Sequence, residues 1–225
     1  MLHSSSRRRA IVLSRVNYGE ADRILQLLTP EGKIGVIAKS VRREKSKLAG
    51  GIELLAVCDV TLHQGKGELA ILTSARLETY FGHILENYDR LQFAYYVLKD
   101  VSKTVDIVNE PEFFDLTEHA FASLNNLRIP LAVTEIWYRM QMAILLGVGI
   151  NLSTDEKGMK LVEDTTYRYD IDANAFVYDP AGSYTSDHIK LLRVVSAQNP
   201  AVIVQVNGYE ALLDTVVHIG SIAHE

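Results

Sequence analysis

Near residue 80 the spacing of apolar residues changes from every second position to every third or fourth. That change restricts the chain to a β module followed by an α module. Before it come five short runs rich in β-branched residues: AIVLSRV (10–16), RILQLLT (23–29), GVIAKSV (35–41), LLAVCDVTLH (54–63) and LAILTSARLE (69–78). Turn signals separate them at Gly19, at PEGK (30–33), at AGG (49–51) and at GKG (65–67). Within VCDVTLH, Val57, Asp59, Thr61 and His63 alternate with Cys58, Val60 and Leu62, the pattern of a half-buried strand. Five strands in so short a stretch suit a small closed sheet, because closure removes exposed edges. An SH3-like barrel has the same pattern. The preceding SSSRRR (4–9) reads as a short polar lead-in, without the apolar run and cleavage site of a signal peptide.

After residue 82, Ile84, Tyr88, Leu91, Tyr95, Leu98, Val101 and Val105 recur at helical spacing. Pro111 opens a second helix over PEFFDLTEHAFASLNN, and a third, LAVTEIWYRMQMAILLGVG, ends at Gly147 and Gly149. The Tyr, Met and Trp residues of these helices read as core packing, the apolar stripe a bundle needs. The segment 160–184 alternates like a hairpin. SDHIKLLRVVSAQ then resumes a helix, with Ser186 or Asp187 as its cap. GYEALLDTVVHIGSIAH makes the last helix, and AVIVQVNG (201–208) fits both a strand and a buried helix. The expected class is α+β: a five-stranded barrel over 1–80, then a helical domain over 81–225 interrupted at about 151–185 by a small hairpin segment.

Charge divides at the same place. The chain carries a net charge of -5, yet residues 1–80 hold 13 Lys+Arg against 8 Asp+Glu, and residues 81–225 hold 10 against 20. A basic module joined to an acidic one points to an anionic partner for the first. The basic residues concentrate in AKSVRREKSKLAGG (38–51), where Lys39, Arg42, Arg43, Lys45 and Lys47 surround the single acid Glu44. A small barrel suits single-stranded nucleic acid: a groove tracks phosphates while exposed rings stack on bases. The run between the third and fourth strands would flank such a groove and neutralise phosphates. Lys66 and Arg76 are further candidates, with Tyr18 and His63 for stacking. Arg23 has a second reading, pairing with Glu20 or Asp22 inside the GEADR turn.

Other chemistry finds no support in motifs. There is no Walker lysine loop, no GxGxxG and no GxSxG. The seven histidines have no close metal-ligand spacing. Asp170, Asp172 and Asn174 begin like a calcium loop, but Ala175 and Ala181 stand where glycine and the closing acid belong. Cys58 is the lone cysteine, which rules out an intrachain disulfide framework and fits a reducing cytoplasm. No run approaches the ~20 apolar residues of a membrane span. No catalytic residue and no metal ligand is assigned.

AIVL, YGEADRI, LLTPEGK, KSVRREKSKLAGG and GKGELAILTSA, in that order over residues 10–80, resemble the N-terminal barrel of the RecO family of recombination mediators. The resemblance implies an OB-fold barrel followed by a helical domain. It implies a protein, not an enzyme, that binds single- and double-stranded DNA and anneals complementary strands. It further implies help in loading the strand-exchange protein RecA onto DNA coated with single-strand-binding protein, with the partner RecR, on the bacterial nucleoid. The helical domain is then expected to hold the acidic, apolar C-terminal tail of single-strand-binding protein. Its groove would be lined by Phe121, Trp137, Met140 and Leu145 and its rim formed by Lys99 with Lys103 or Lys190 with Arg193.

The sequence departs from the family pattern in two places. The PEGK turn lacks a histidine often found between its glutamate and glycine. Many members also insert a four-cysteine zinc module, and residues 150–185 contain neither cysteine nor histidine. No structural zinc is therefore expected there. The hairpin is left to its own pairs, Tyr167, Tyr169, Phe176 and Tyr178. Two other classes stay open from the residues alone: a metal-dependent nuclease using the acidic half, and an OB-fold adaptor for a non-DNA ligand.

Overall fold

Strand pairing closes the expected barrel. The computed structural model describes residues 5–64 and 67–222, with side chains to residue 219. Its first sheet comprises β1 (Ser5–Tyr18), β2 (Asp22–Thr29), β3 (Gly32–Ala38), β4 (Ala56–His63) and β5 (Ala70–Tyr80). They form a closed barrel in the order β1-β2-β3-β5-β4, the five-stranded arrangement of an OB-fold. Closure is by a short parallel contact, Val36 with Ala70 and Ile37 with Ile71. Alternate residues Ala10, Val12, Leu25, Leu27, Val36 and Val60 point inward and are at most 1% exposed. The β1 strand begins earlier than its composition indicates: the arginines of SSSRRR lie within it, in register with β4 from Ser5–His63 to Ile11–Val57. They are a structural part of the sheet rather than a lead-in. Arg7 binds Asp59, Arg8 reaches Glu31 at 3.3 Å, and Arg9 binds Glu78 at 2.9 Å and Glu118 at 2.7 Å.

Strands give way to helices at residues 80–82. The compact unit that contains the barrel nevertheless runs on to Asn125. It includes α1 (Tyr88–Thr104), capped by the Asn87 side chain, and α2 (Glu112–Asn125). Side chains explain the extension. Arg9 of β1 ties Glu118 of α2 and lies 5.2 Å over the Phe114 ring. Lys33 of β3 donates to the Ser102 carbonyl in the last turn of α1 at 3.0 Å and to Asp106 at 2.8 Å, a cation where the helix dipole is negative.

The second compact unit spans 126–225. It contains α3 (Leu131–Leu145), a sheet of β6 (Thr166–Asp170), β7 (Ala175–Tyr178) and β8 (Tyr184–Thr185), then α4 (Ser186–Ala197), α5 (Pro200–Ile203) and α6 (Tyr209–Ile222). The order in this sheet is β7-β6-β8. Its packing hub is Phe176, which meets Tyr167, Tyr169 and Tyr184 edge-on at 5.4–6.2 Å. The fourth ring of the cluster is thus Tyr184. Tyr178, at the end of β7, is 58% exposed. The cap of α4 is Thr185, not Ser186 or Asp187, because its N–H donates to His188 Nδ1 at 3.2 Å in a reciprocal capping box. Residues 201–208 resolve as helix and turn: Asn199 accepts from Val202 N–H, Pro200 sits in the first turn, and Gly208 at φ 77° releases the chain into α6.

Candidate nucleic-acid interface

Between β3 and β4 the basic stretch forms a loop fastened at both ends to the barrel. Val41 is 2% exposed and Ile52 fully buried, both in the barrel core, and Leu48 packs against it between them. The intervening residues 42–45 and Lys47 are exposed. A short 3-10 turn, Ala49–Gly51, returns the chain to the barrel, where a side chain at Gly51 would run into the Ala75 backbone. The last glycine of the AGG motif, Gly51, is therefore a close-approach requirement.

The loop starts from an unusual conformation. Ser40 has φ 55°, a left-handed value that costs a residue with a Cβ of order 1 kcal/mol. The turn after β1 holds it there. Ser40 N–H donates to Asp22 Oδ1 at 2.6 Å, Arg42 N–H to the Ala21 carbonyl at 2.9 Å, and Arg42 Nη2 to the Gly19 carbonyl at 2.6 Å. The YGEAD and KSVRR elements, some 20 residues apart in sequence, are one joint. Arg23 takes no part: its Nε donates to Asn17 Oδ1 at 3.2 Å. The pairing with Glu20 or Asp22 does not form; Asp22 and Arg23 are consecutive on β2, so their side chains leave opposite faces of the sheet. Neighbouring Tyr18 is 54% exposed.

Charge is unevenly used over the barrel. Arg7, Arg8, Arg9, Arg15 and Lys33 all face carboxylates within 4 Å. Among the described residues, Lys39, Arg42, Arg43, Lys45 and Lys47 enter no ion pair. Of the other candidates, Arg76 is exposed on β5, across from Asp59, whose carboxyl is held below its usual range chiefly by its hydrogen bond to Arg7. His63 ends β4, half-buried, in register with Ser5 and Ile71. Lys66 lies outside the described residues.

Comparison with known proteins bears on the family of the barrel. Residues 1–81 match the family described as Recombination protein O N terminal. The DNA repair protein RecO of Rhodopirellula baltica is 35% identical over 142 residues, covering 61% of this chain and 52% of its own. Its counterpart in Dehalococcoides mccartyi is 41% identical over 90 residues, 40% of this chain and 35% of its own. The Rubrobacter xylanophilus protein is 30% identical over 142 residues, 63% of this chain and 57% of its own. By residues 1–81 the chain matches the RecO family. It spans about half the length of the Rhodopirellula baltica and Rubrobacter xylanophilus proteins.

The two basic pairs expected to serve a RecO partner tail fall in different compact units. Lys99 and Lys103 are exposed on α1 in the first, along the same helix as the exposed Tyr88 and Tyr95. Lys190 and Arg193 lie on α4 in the second, and they border separate clefts. Lys190 stands between Glu163 at 3.0 Å and Asp187 at 3.5 Å. It lines a cleft of about 400 Å³ with Leu191, Val194, Val206 and Leu212. Arg193 donates Nε and Nη2 to the Leu152 carbonyl at 2.9 and 2.7 Å. It borders a cleft of about 380 Å³ with Met140, Ile144, Ile150 and Leu152. Of the expected groove residues Met140 alone lines that cleft; Phe121 is fully buried and Trp137 is 6% exposed, both core. In place of a RecO zinc module, residues 151–185 carry the Phe176 cluster and the bridges Thr154–Lys160 and Asp155–Phe176. With no cysteine or histidine, that segment does not fit a zinc site. Among the described residues no three His, Cys, Asp or Glu side chains group to hold a metal ion, and no helix is long and apolar enough to cross a membrane.

Proposed function

We propose that this chain is a DNA-binding mediator of recombinational repair whose barrel loop, Lys39–Lys47, grips phosphates. The supporting observation is the loop itself: five cations on an anchored, exposed segment, none engaged with a carboxylate among the described residues, on a barrel whose other arginines are largely paired. Phosphate contacts of this kind carry no base identity, so binding is sequence-tolerant. Tyr18, exposed beside the Gly19 carbonyl that holds Arg42, supplies a ring for stacking. The chain acts on single strands and anneals them, also contacts duplex DNA, and assists RecA loading with RecR in the bacterial cytoplasm. It does so as a binding protein without a catalytic step. Of the two partner-tail positions, the Arg193 cleft joins an apolar wall to a guanidinium, the pairing an acidic, apolar peptide needs. The surrounding excess of acid keeps that binding weak, micromolar or poorer in order of magnitude.

The test is to mix the chain with labelled complementary single strands in magnesium or manganese. Duplex formation without shortened products is expected. Cleavage that disappears with chelator would replace the mediator by a nuclease, and absence of salt-dependent DNA binding would leave an adaptor for another ligand.

A further inference from the structure

We infer that Asp22, an acidic residue, is a positioning residue for nucleic-acid binding, because its carboxylate sets where the basic loop leaves the barrel. This rests on the loop reading above and concerns a residue that does not touch the ligand. Asp22 opens β2, directly across the turn from Tyr18. Its Oδ1 accepts the Ser40 amide at 2.6 Å, at the residue whose φ of 55° turns the chain out of β3. Ala21 and Gly19 continue the same joint, through their carbonyls, to the backbone and side chain of Arg42. Three acceptors from one turn thus fix two loop residues at three points: the amide of Ser40, the amide of Arg42 and the guanidinium of Arg42. Immediately beyond lie Arg43, Lys45 and Lys47; the Arg43 amide donates to the Ser40 carbonyl at 3.2 Å, and the three side chains enter no ion pair among the described residues. A loop held at its base loses less freedom when it closes on a phosphate backbone, so binding costs less.

The sign of the effect separates this from simple electrostatics. A carboxylate beside a phosphate-binding loop repels DNA, so charge alone predicts tighter binding when Asp22 is neutralised. Positioning predicts weaker binding when the acceptor is lost, whatever happens to the charge.

The experiment measures affinity of the full chain for a labelled single-stranded oligonucleotide at one low salt concentration, with hydrogen exchange at the Ser40 amide alongside. Asp22→Ala is expected to weaken binding about fivefold to tenfold and to expose the amide to exchange. Asp22→Asn keeps an acceptor oxygen and is expected within about twofold of the parent. Asp22→Glu keeps the charge but displaces the acceptor by one methylene, and is expected to weaken binding; charge alone predicts no change. Equal tightening by the alanine and asparagine variants, or parental binding by the glutamate variant, would overturn the inference. If the alanine variant does not fold, the glutamate and asparagine variants decide it. The loop reading fails separately: alanine at Arg43, Lys45 and Lys47 would then leave binding unchanged. If that triple variant binds weakly while every Asp22 variant binds like the parent, Asp22 alone is refuted.

Discussion

The loop Lys39–Lys47 and the helix α4 pair Lys190–Arg193 are both basic clusters in the sequence, but their side chains are used differently. In α4 the side chains are engaged locally: Lys190 is neutralised between two carboxylates, and Arg193 gives two donors to the Leu152 carbonyl without losing its charge. Among the described residues Arg42 is the one loop cation with a side-chain hydrogen bond, and its partner is a carbonyl. A basic residue in an acid-rich unit is drawn into holding the unit together. The same residue on a loop with one acid, Glu44, enters no ion pair among the described residues.

Three measurements sharpen that contrast, from the largest effect to the smallest. Reversing the loop with Arg43→Glu, Lys45→Glu and Lys47→Glu should lower DNA affinity by about a hundredfold or more at low salt. Lys190→Glu with Arg193→Glu should change it by no more than about twofold. Equal losses would mean that the second unit shares the interface. In the other direction, Arg193→Ala should leave DNA binding intact while lowering stability by about 1 kcal/mol, read from the urea midpoint, because the Leu152 carbonyl loses its donors. No midpoint change would show that water replaces the guanidinium without loss.

The smallest effect is a pH dependence confined to the second unit. Burial lowers the pKa of His188 from its ordinary 6.5, outweighing the opposite pull of Asp187, and Nδ1 accepts from Thr185 only when the ring is neutral. The folded chain then holds this proton less readily than the unfolded one. The stability contribution is complete above about pH 6.5 and is lost as pH falls from there toward the lower folded value. His188→Gln keeps the capping box and should flatten urea stability between pH 7 and pH 5 relative to the parent. An unchanged profile would assign the dependence to another group.

Much of the fold was legible because it is written in local periodicity. The strand and helix runs, the change near residue 80 and the motif order all survive in the structure. Long-range partners were not legible. Three consecutive arginines read as a solvated run, since their acids lie far off: Asp59, Glu31 and, across 109 positions, Glu118. The same blindness hid the attachment of α1 and α2 to the barrel unit through Lys33 and Arg9. At Thr185, Ser186 and Asp187, three good caps stand in a row, and only the reciprocal bond from His188 chooses among them. Tyr184 replaces Tyr178 in the aromatic cluster because β8 pairs with the free edge of β6, which alternation in a hairpin does not foretell. In the site, charge density marked the loop, whereas Asp22 stood out only as a partner for Arg23 in the GEADR turn. An acid in a turn reads as a turn former; its service to Ser40 needs the two turns side by side.

The central claim is that loop cations bind phosphate directly, and counterion release reports this most directly. The affinity of the full chain for a single-stranded oligonucleotide should be measured over a series of salt concentrations, with and without Arg43→Ala, Lys45→Ala and Lys47→Ala. Each phosphate contact contributes about 0.7 to the log–log slope on single strands, so the three substitutions should flatten it by roughly 2. Adding Arg42→Ala should bring the total to roughly 3 if the donors left free by Gly19 also reach a phosphate. Binding that weakens with no change of slope would contradict the account, because the loop would then shape the protein without touching the DNA.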